Sequence, residues 1–187
     1  TSASKSWNLA GLKCAQIVTA DEEMRQRLDA LPLSLPWRAS ILGAWASVAA
    51  YREGQPWLDN VMHTLASNRE YLATRIPEVL PGAVYHRPES TYLAWIDLRN
   101  YELEDPGMVL LEKGRVALNE GKDFGPDGVG FVRLNFATNQ STLDEALHRM
   151  ASVLEVKAAQ VVHLVGIGGR SSKTQDASAI SSVHHKH

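Results

Sequence analysis

Cysteine is nearly absent: Cys14 is the one cysteine in 187 residues. A disulfide framework needs pairs and a multi-cysteine zinc site needs several thiolates, so both are excluded. A dominant charge is also missing, with 19 Lys+Arg against 21 Asp+Glu and a formal net charge of −2. Without a basic excess to neutralise phosphates, strong nucleic-acid binding is not expected. No apolar run approaches the roughly 20 residues that cross a bilayer, and nothing at Thr1 reads as a leader, so neither a membrane span nor a signal peptide is expected. What is present is an ordinary globular mixture, 44% hydrophobic and 21% charged, with enough apolar material for a core. The length allows one domain, or one and a part.

Apolar spacing changes character along the chain. Residues 20–31 predict a helix, with Met24, Leu28 and Leu31 on one face and Asp21, Glu22 and Glu23 at its positive end. Pro32 and Pro36 close it. Residues 38–52 predict an Ala-rich helix. Residues 57–75 predict a longer one, with a stripe of Trp57, Leu58, Val61, Met62, Leu65, Tyr71 and Leu72 that Pro77 is expected to end. Beyond that the period shortens. Ala83–His86 and Thr91–Leu98 predict strands, a short helix covers 106–113, and an extended stretch follows at 116–118. Gly121, Gly125 and Gly128 mark a turn-rich loop. Val129–Phe136 then alternates, with Val132, Leu134 and Phe136 on one face and Phe131, Arg133 and Asn135 on the other. A capping box at Thr142–Glu145 predicts the start of a last helix running to about Lys157. The second half therefore reads β-β-α-β-β-α, a small α+β domain with helices on an antiparallel or mixed sheet. From Ala158 on, one acid meets three bases, and four of the seven histidines gather, so 158–187 is expected to be a flexible tail.

The opening residues can carry chemistry. Lys5 stands among Ser2, Ser4 and Ser6, ahead of a turn at Gly11. An amine whose neighbours lower its pKa attacks aldehydes, and hydroxyls with the Lys13 cation could hold a phosphate. A polar surface loop explains the same composition. For Arg133, whose strand turns Val132 and Leu134 to the opposite face, a surface salt bridge competes with carboxylate binding through the guanidinium fork.

Four separated stretches in order carry a family resemblance: Ser2–Leu12, Ala49–Leu58, Thr91–Asp97 and Phe131–Ala137, the last preceded by Gly121 and Phe124-Gly125. Together they resemble the fold-type I pyridoxal-phosphate-dependent aminotransferase class I/II family, within it the cystathionine β-lyase (MalY/PatB-like C–S lyase) branch, over residues 1 to about 157. The resemblance implies an α/β fold class: the C-terminal part of such an enzyme, mainly its small α+β domain plus the end of its large domain. It implies that 1–35 ends the large domain with the lysine loop and that 36–157 holds connecting helices and the small domain. Lys5 matches the lysine that binds pyridoxal 5'-phosphate and moves the substrate's α-proton. Ser2 matches a phosphate contact. Lys13 occupies the place of a phosphate-binding arginine, keeping the charge without the bidentate fork. Arg133 matches the arginine that pairs with the substrate α-carboxylate.

The implied activity is β-elimination of a thiol from cystathionine or a related cysteine S-conjugate, giving thiol, pyruvate and ammonia. An aminotransferase, or an inactive fragment serving as a folding or association module, are the alternatives. The resemblance further implies a small-molecule amino-acid substrate, a cytoplasmic homodimer, and no nucleic acid, membrane or metal. Family members are about twice this length, and their preceding portion supplies the aspartate for the pyridine nitrogen and a ring-stacking aromatic. Tyr92 and Trp95 are expected in the core or sheet ahead of the substrate site. Trp7 beside the lysine suits a site wall or packing equally, and Cys14 reads as a buried small hydrophobe. Gly166-Ile167-Gly168-Gly169 lacks the third spaced glycine and following helix of a dinucleotide loop. His184, His185 and His187 read as an uncommitted His-rich end.

Overall fold

The computed structural model describes residues 1–168, with side chains through Leu154. The chain divides into two compact units, the first Thr1–Glu70 and the second from Tyr71 on. The change falls inside a long helix.

The first unit holds α1 (Ala3–Ser6), α2 (Glu22–Asp29), α3 (Ile41–Glu53) and the first part of α4 (Gln55–Val79). Its helices begin where the side-chain chemistry dictates. Asp21 caps α2 by accepting from the Met24 N–H at 2.7 Å, and Ser40 caps α3 through the Gly43 N–H at 3.3 Å. The helix is shorter than the expected 20–31, so Leu31 falls beyond it, and both Met24 and Leu31 stay exposed.

The second unit takes the rest of α4, then β1 (Val84–Tyr85), β2 (Leu93–Asp97), α5 (Pro106–Gly114), β3 (Asn119–Glu120), β4 (Phe131–Asn135) and α6 (Gln140–Gly168). This is the expected β-β-α-β-β-α order. All strand pairs are antiparallel and the sheet order is β1-β2-β4-β3. Ala94 and Ile96 of β2 and Val132 and Leu134 of β4 point to one face, with Phe136 just beyond, and all are buried. Leu143, Leu147, Met150 and Leu154 of α6, spaced by four, three and four, are buried with them, as are Leu110 of α5 and Leu72, Ile76 and Leu80. Each such side chain removed from water contributes about 1.5–3 kcal/mol.

Several boundaries differ from expectation. The third strand, expected at 116–118, pairs at Asn119–Glu120 instead. Pro77 does not end α4, which continues to Val79. A proline two residues from a helix end costs only one internal hydrogen bond, and the continuation carries Leu80 into the core, its N–H donating to the Ile76 carbonyl at 2.9 Å. The cap of α6 is Asn139, not Thr142: the Thr142 N–H donates to Asn139 Oδ1 at 2.8 Å, one turn earlier than the capping box suggests. The same helix runs on to Gly168, so residues 158–168 are helical, not tail. That places Gly166–Gly168 in a helix end, where no dinucleotide loop can form. Gly169, the rest of the expected tail and the terminal histidines lie outside the described residues.

Candidate active site

Lys5 sits in the single turn of α1. Ser2, in extended backbone, caps that turn, its Oγ accepting from the Ser4 N–H at 3.4 Å. Lys5 is exposed, and among the described residues it makes no ion pair. The turn is fastened from both sides. The Thr1 backbone nitrogen donates to the Gln16 carbonyl at 2.7 Å, and the Gln16 N–H returns to the Thr1 carbonyl at 2.8 Å. Trp7 Nε1 donates to the Gly54 carbonyl at 2.9 Å, and its ring meets Tyr51 edge-on at 4.9 Å. Trp7 is thus a packing residue that ties the lysine turn to the end of α3. A Cβ on Gly54 would stand 2.4 Å from that indole nitrogen, so glycine is required there.

Lys13 ends a tight turn over Ala10–Leu12 in left-handed backbone at φ 52°. Its carbonyl accepts from the Ser40 N–H at 3.1 Å, which joins the segment to the start of α3. Gly43 permits the approach, because a Cβ there would lie 2.3 Å from the Leu12 carbonyl oxygen. Lys13 and Ser4 line an open groove of about 1130 Å³, together with Arg38, Leu28 and Ile17. Arg25 and Arg38, two further cations on this groove, carry no sequence pattern that marks them as site residues. Cys14 is half-buried and its Sγ accepts from Gln16 Nε2 at 3.4 Å, so it is less enclosed than expected.

Arg133 belongs to the second unit, on the sheet face opposite the core, as the alternation of β4 predicts. The register sets it opposite Trp95 on β2 and Asn119 on β3. Its Nη2 donates to Asn119 Oδ1 at 3.0 Å, and its Cζ lies 4.2 Å from the Phe124 ring centroid. The surface salt bridge weighed for it does not form: among the described residues Arg133 has no carboxylate partner. Trp95 is a sheet residue on this same outer face, in contact with Phe124 and Phe131. Asn119 and Phe124 were not singled out as site residues, because cross-strand register and loop closure bring them to Arg133 and neither is local in sequence.

Arg99 on the same face makes the contrast. Its Nε donates to Asp97 Oδ1 at 3.0 Å and its Nη2 to Oδ2 at 2.7 Å. Those hydrogen bonds hold the Asp97 carboxyl below the usual carboxylate range. The charge of Arg99 is committed inside the chain, and among the described residues that of Arg133 is not. Among the described residues no group of acidic, histidine and cysteine side chains could hold a metal, and no helix is long and apolar enough to cross a membrane.

Residues 1–150 match the family Aminotransferase class I and II. The chain belongs to this family. It is 40% identical over 158 residues to a cystathionine beta-lyase of Corynebacterium glutamicum, covering 82% of this chain and 41% of that protein. It is 32% identical over 154 residues to the cystathionine beta-lyase PatB of Bacillus subtilis, covering 81% and 40%. Among solved structures, cystalysin of Treponema denticola, which contains a pyridoxal 5'-phosphate cofactor, superposes with a TM-score of 0.73 at 29% identity, covering 83% of this chain and 40% of that one. The chain thus spans about two fifths of the length of the relatives it matches. The α/β fold of the family agrees with the mixture of helix and sheet seen here.

Proposed function

We propose that this chain is the part of a pyridoxal-phosphate-dependent carbon–sulfur β-lyase that carries the cofactor lysine and the substrate-carboxylate arginine. The observation that carries the reading is Arg133, a guanidinium fixed on an aromatic sheet face by a neutral acceptor and matched by no carboxylate of the described chain. A fixed, unmatched fork suits a carboxylate, to which it donates two parallel hydrogen bonds.

The residues present fit the cofactor. Lys5 Nζ is exposed and unpaired among the described residues, as a group that must reach an aldehyde needs to be. Ser2 and Lys13 supply a hydroxyl and a cation for the phosphate, with Ser2 less free because it also caps α1. When bound, pyridoxal phosphate serves as an electron sink for the bond-breaking at the substrate's α-carbon. Lys5 Nζ would take the α-proton, and Arg133 would bind the substrate α-carboxylate. Loss of a thiolate from the β-carbon, with a proton returned to it, would leave 2-aminoacrylate, which water hydrolyses to pyruvate and ammonia; from cystathionine the thiol is homocysteine. The large apolar side chains left uncovered in the first unit are the surface on which the rest of a longer polypeptide would pack. The complete protein is a cytoplasmic homodimer in this reading.

Absorbance and product analysis test it. The full-length protein with pyridoxal phosphate should show a visible band that Lys5→Ala removes, and should release pyruvate from L-cystathionine. A band that persists without Lys5 would overturn the cofactor assignment. Amino transfer that depends on a keto acid, without pyruvate release, would favour the aminotransferase reading suggested by the family.

A further inference from the structure

The glycine loop that follows β3 has a feature that its turns alone do not explain. Residues 121–128 form two successive tight turns, closed by the Gly125 N–H on the Lys122 carbonyl at 3.2 Å and the Gly128 N–H on the Gly125 carbonyl at 3.0 Å. The loop pinches at its base. A Cβ on Gly121 would lie 2.2 Å from the Gly128 carbonyl oxygen, and one on Gly128 would lie 2.0 Å from that of Gly121. Only glycine at both positions allows the two backbones to touch. Lys122 is held to Asp105 by an ion pair. At the tip of this closed loop stands Phe124, 51% exposed.

A half-exposed phenylalanine on a rigid loop contributes little to a core. Its covered face lies on the Arg133 guanidinium at 4.2 Å, and its ring meets Trp95 edge-on at 5.7 Å and 79°. Trp95 stacks on Phe131 at 5.5 Å and 20°, and the Phe131 ring carries Arg99 at 4.8 Å. An aromatic row thus runs across the outer sheet face with an arginine at each end. At one end Asp97 already satisfies the charge. At the other, Arg133 meets only the Asn119 amide oxygen at 3.0 Å, and its Nε has no hydrogen-bond partner among the described residues.

We infer that Phe124 and Asn119 are positioning residues that hold the Arg133 fork in the orientation that receives an amino-acid carboxylate, with the glycine loop serving to deliver Phe124. The ring's negative face attracts the guanidinium without neutralising it, and together with the Asn119 hydrogen bond it limits where the fork can point. A carboxylate neighbour would fix it equally well but would compete with the ligand. The inference rests on the reading of Arg133 as the carboxylate-binding residue.

The test measures KM and kcat of the full-length protein with L-cystathionine. Phe124→Leu keeps apolar bulk and removes the π face; KM should rise about three- to thirty-fold, the range of one such contact, with kcat changed far less. Phe124→Trp should restore KM. Replacing Phe124 by phenylalanines of increasing ring fluorination keeps the shape and drains the ring's charge, so KM should climb with each fluorine. Asn119→Ala should raise KM in the same direction. In an Arg133→Ala background Phe124→Leu should add nothing, because its effect passes through Arg133. If Arg133→Ala leaves KM unchanged, the carboxylate reading itself fails. If Arg133→Ala raises KM while the fluorinated series is flat, or while Phe124→Leu acts equally in both backgrounds, the carboxylate reading stands and the positioning role is overturned.

Discussion

Both compact units expose some large apolar side chains, Phe124 and Val129 among them in the second, but the second unit alone buries a set of them. In the second unit, Leu72, Ile76, Leu80, Ile96, Leu110, Phe136, Leu147 and Met150 are all fully buried, between one sheet face and the helices that cover it. In the first unit, the buried apolar residues are Ala3 and Ala50, while Trp37, Ile41, Leu42 and Trp45 stand at 67–79% exposure. The first unit is instead organised by its backbone: paired hydrogen bonds between Thr1 and Gln16, a tryptophan on a helix-end carbonyl, and Gly43 pressed against Leu12. A self-contained core and a hydrogen-bonded frame with an uncovered apolar surface therefore coexist in one chain. An apolar surface of that extent is a mark of a face that other protein covers. The proposed site residues divide the same way, with Lys5, Ser2 and Lys13 on the frame and Arg133 on the sheet.

Core truncation should separate the units most strongly. Phe136→Ala is expected to lower the unfolding free energy of the chain by about 3–5 kcal/mol in urea, whereas Trp45→Ala should change it by no more than about 0.5 kcal/mol. Equal losses would mean that the exposed tryptophan is covered in solution, and the contrast would break. The next effect is at close backbone approaches. Gly121→Ala forces a methyl against the Gly128 carbonyl and should cost about 1–3 kcal/mol, while Gly11→Ala, with nothing within 4 Å, should be neutral or slightly stabilising.

Helix caps give a smaller and more local comparison. The Glu120 carboxylate accepts from the Met108 N–H at 2.6 Å and serves as the cap of α5 from another element. Glu120→Ala should cost about 1 kcal/mol of the second unit's stability, seen as a lower urea midpoint. Asp21→Ala should fray only α2, with faster amide exchange in residues 22–25 and an unchanged urea midpoint, because that helix buries nothing.

The smallest effect concerns pH. The hydrogen bonds from Arg99 hold the Asp97 carboxyl below its ordinary value of 3.8. A depressed folded-state pKa stabilises above the unfolded value and is lost as pH falls through the folded one. Asp97→Asn should therefore lower stability at pH 7, by less than about 1 kcal/mol because Arg99 is solvent-screened, and the deficit should close on acidification below pH 3.8. A deficit independent of pH would assign Asp97 to packing.

Much of the second unit was legible. Alternation along 129–136 sorted buried Val132 and Leu134 from outward Arg133, since a strand has two faces and each residue must choose one. Element ends were less legible. Pro77 inside α4 and Asn139 as the cap of α6 were decided by what the neighbouring turns bury and by which donor lay in reach, neither of which a local pattern contains. In the first unit helix periodicity gave the right helices, and it also implied a covered face for α2 that the described residues do not supply.

By itself the sequence determined the elements, the inward and outward faces of β4, and a motif order that belongs to one enzyme family. Those are consequences of spacing and residue type, and both are local. Only the tertiary structure decided that Phe124 covers Arg133, that Asn119 shares its register, and that Asp97 satisfies Arg99 and leaves the other guanidinium unmatched. Charge compensation depends on distances between residues far apart in the chain, and those are set by strand pairing and loop closure.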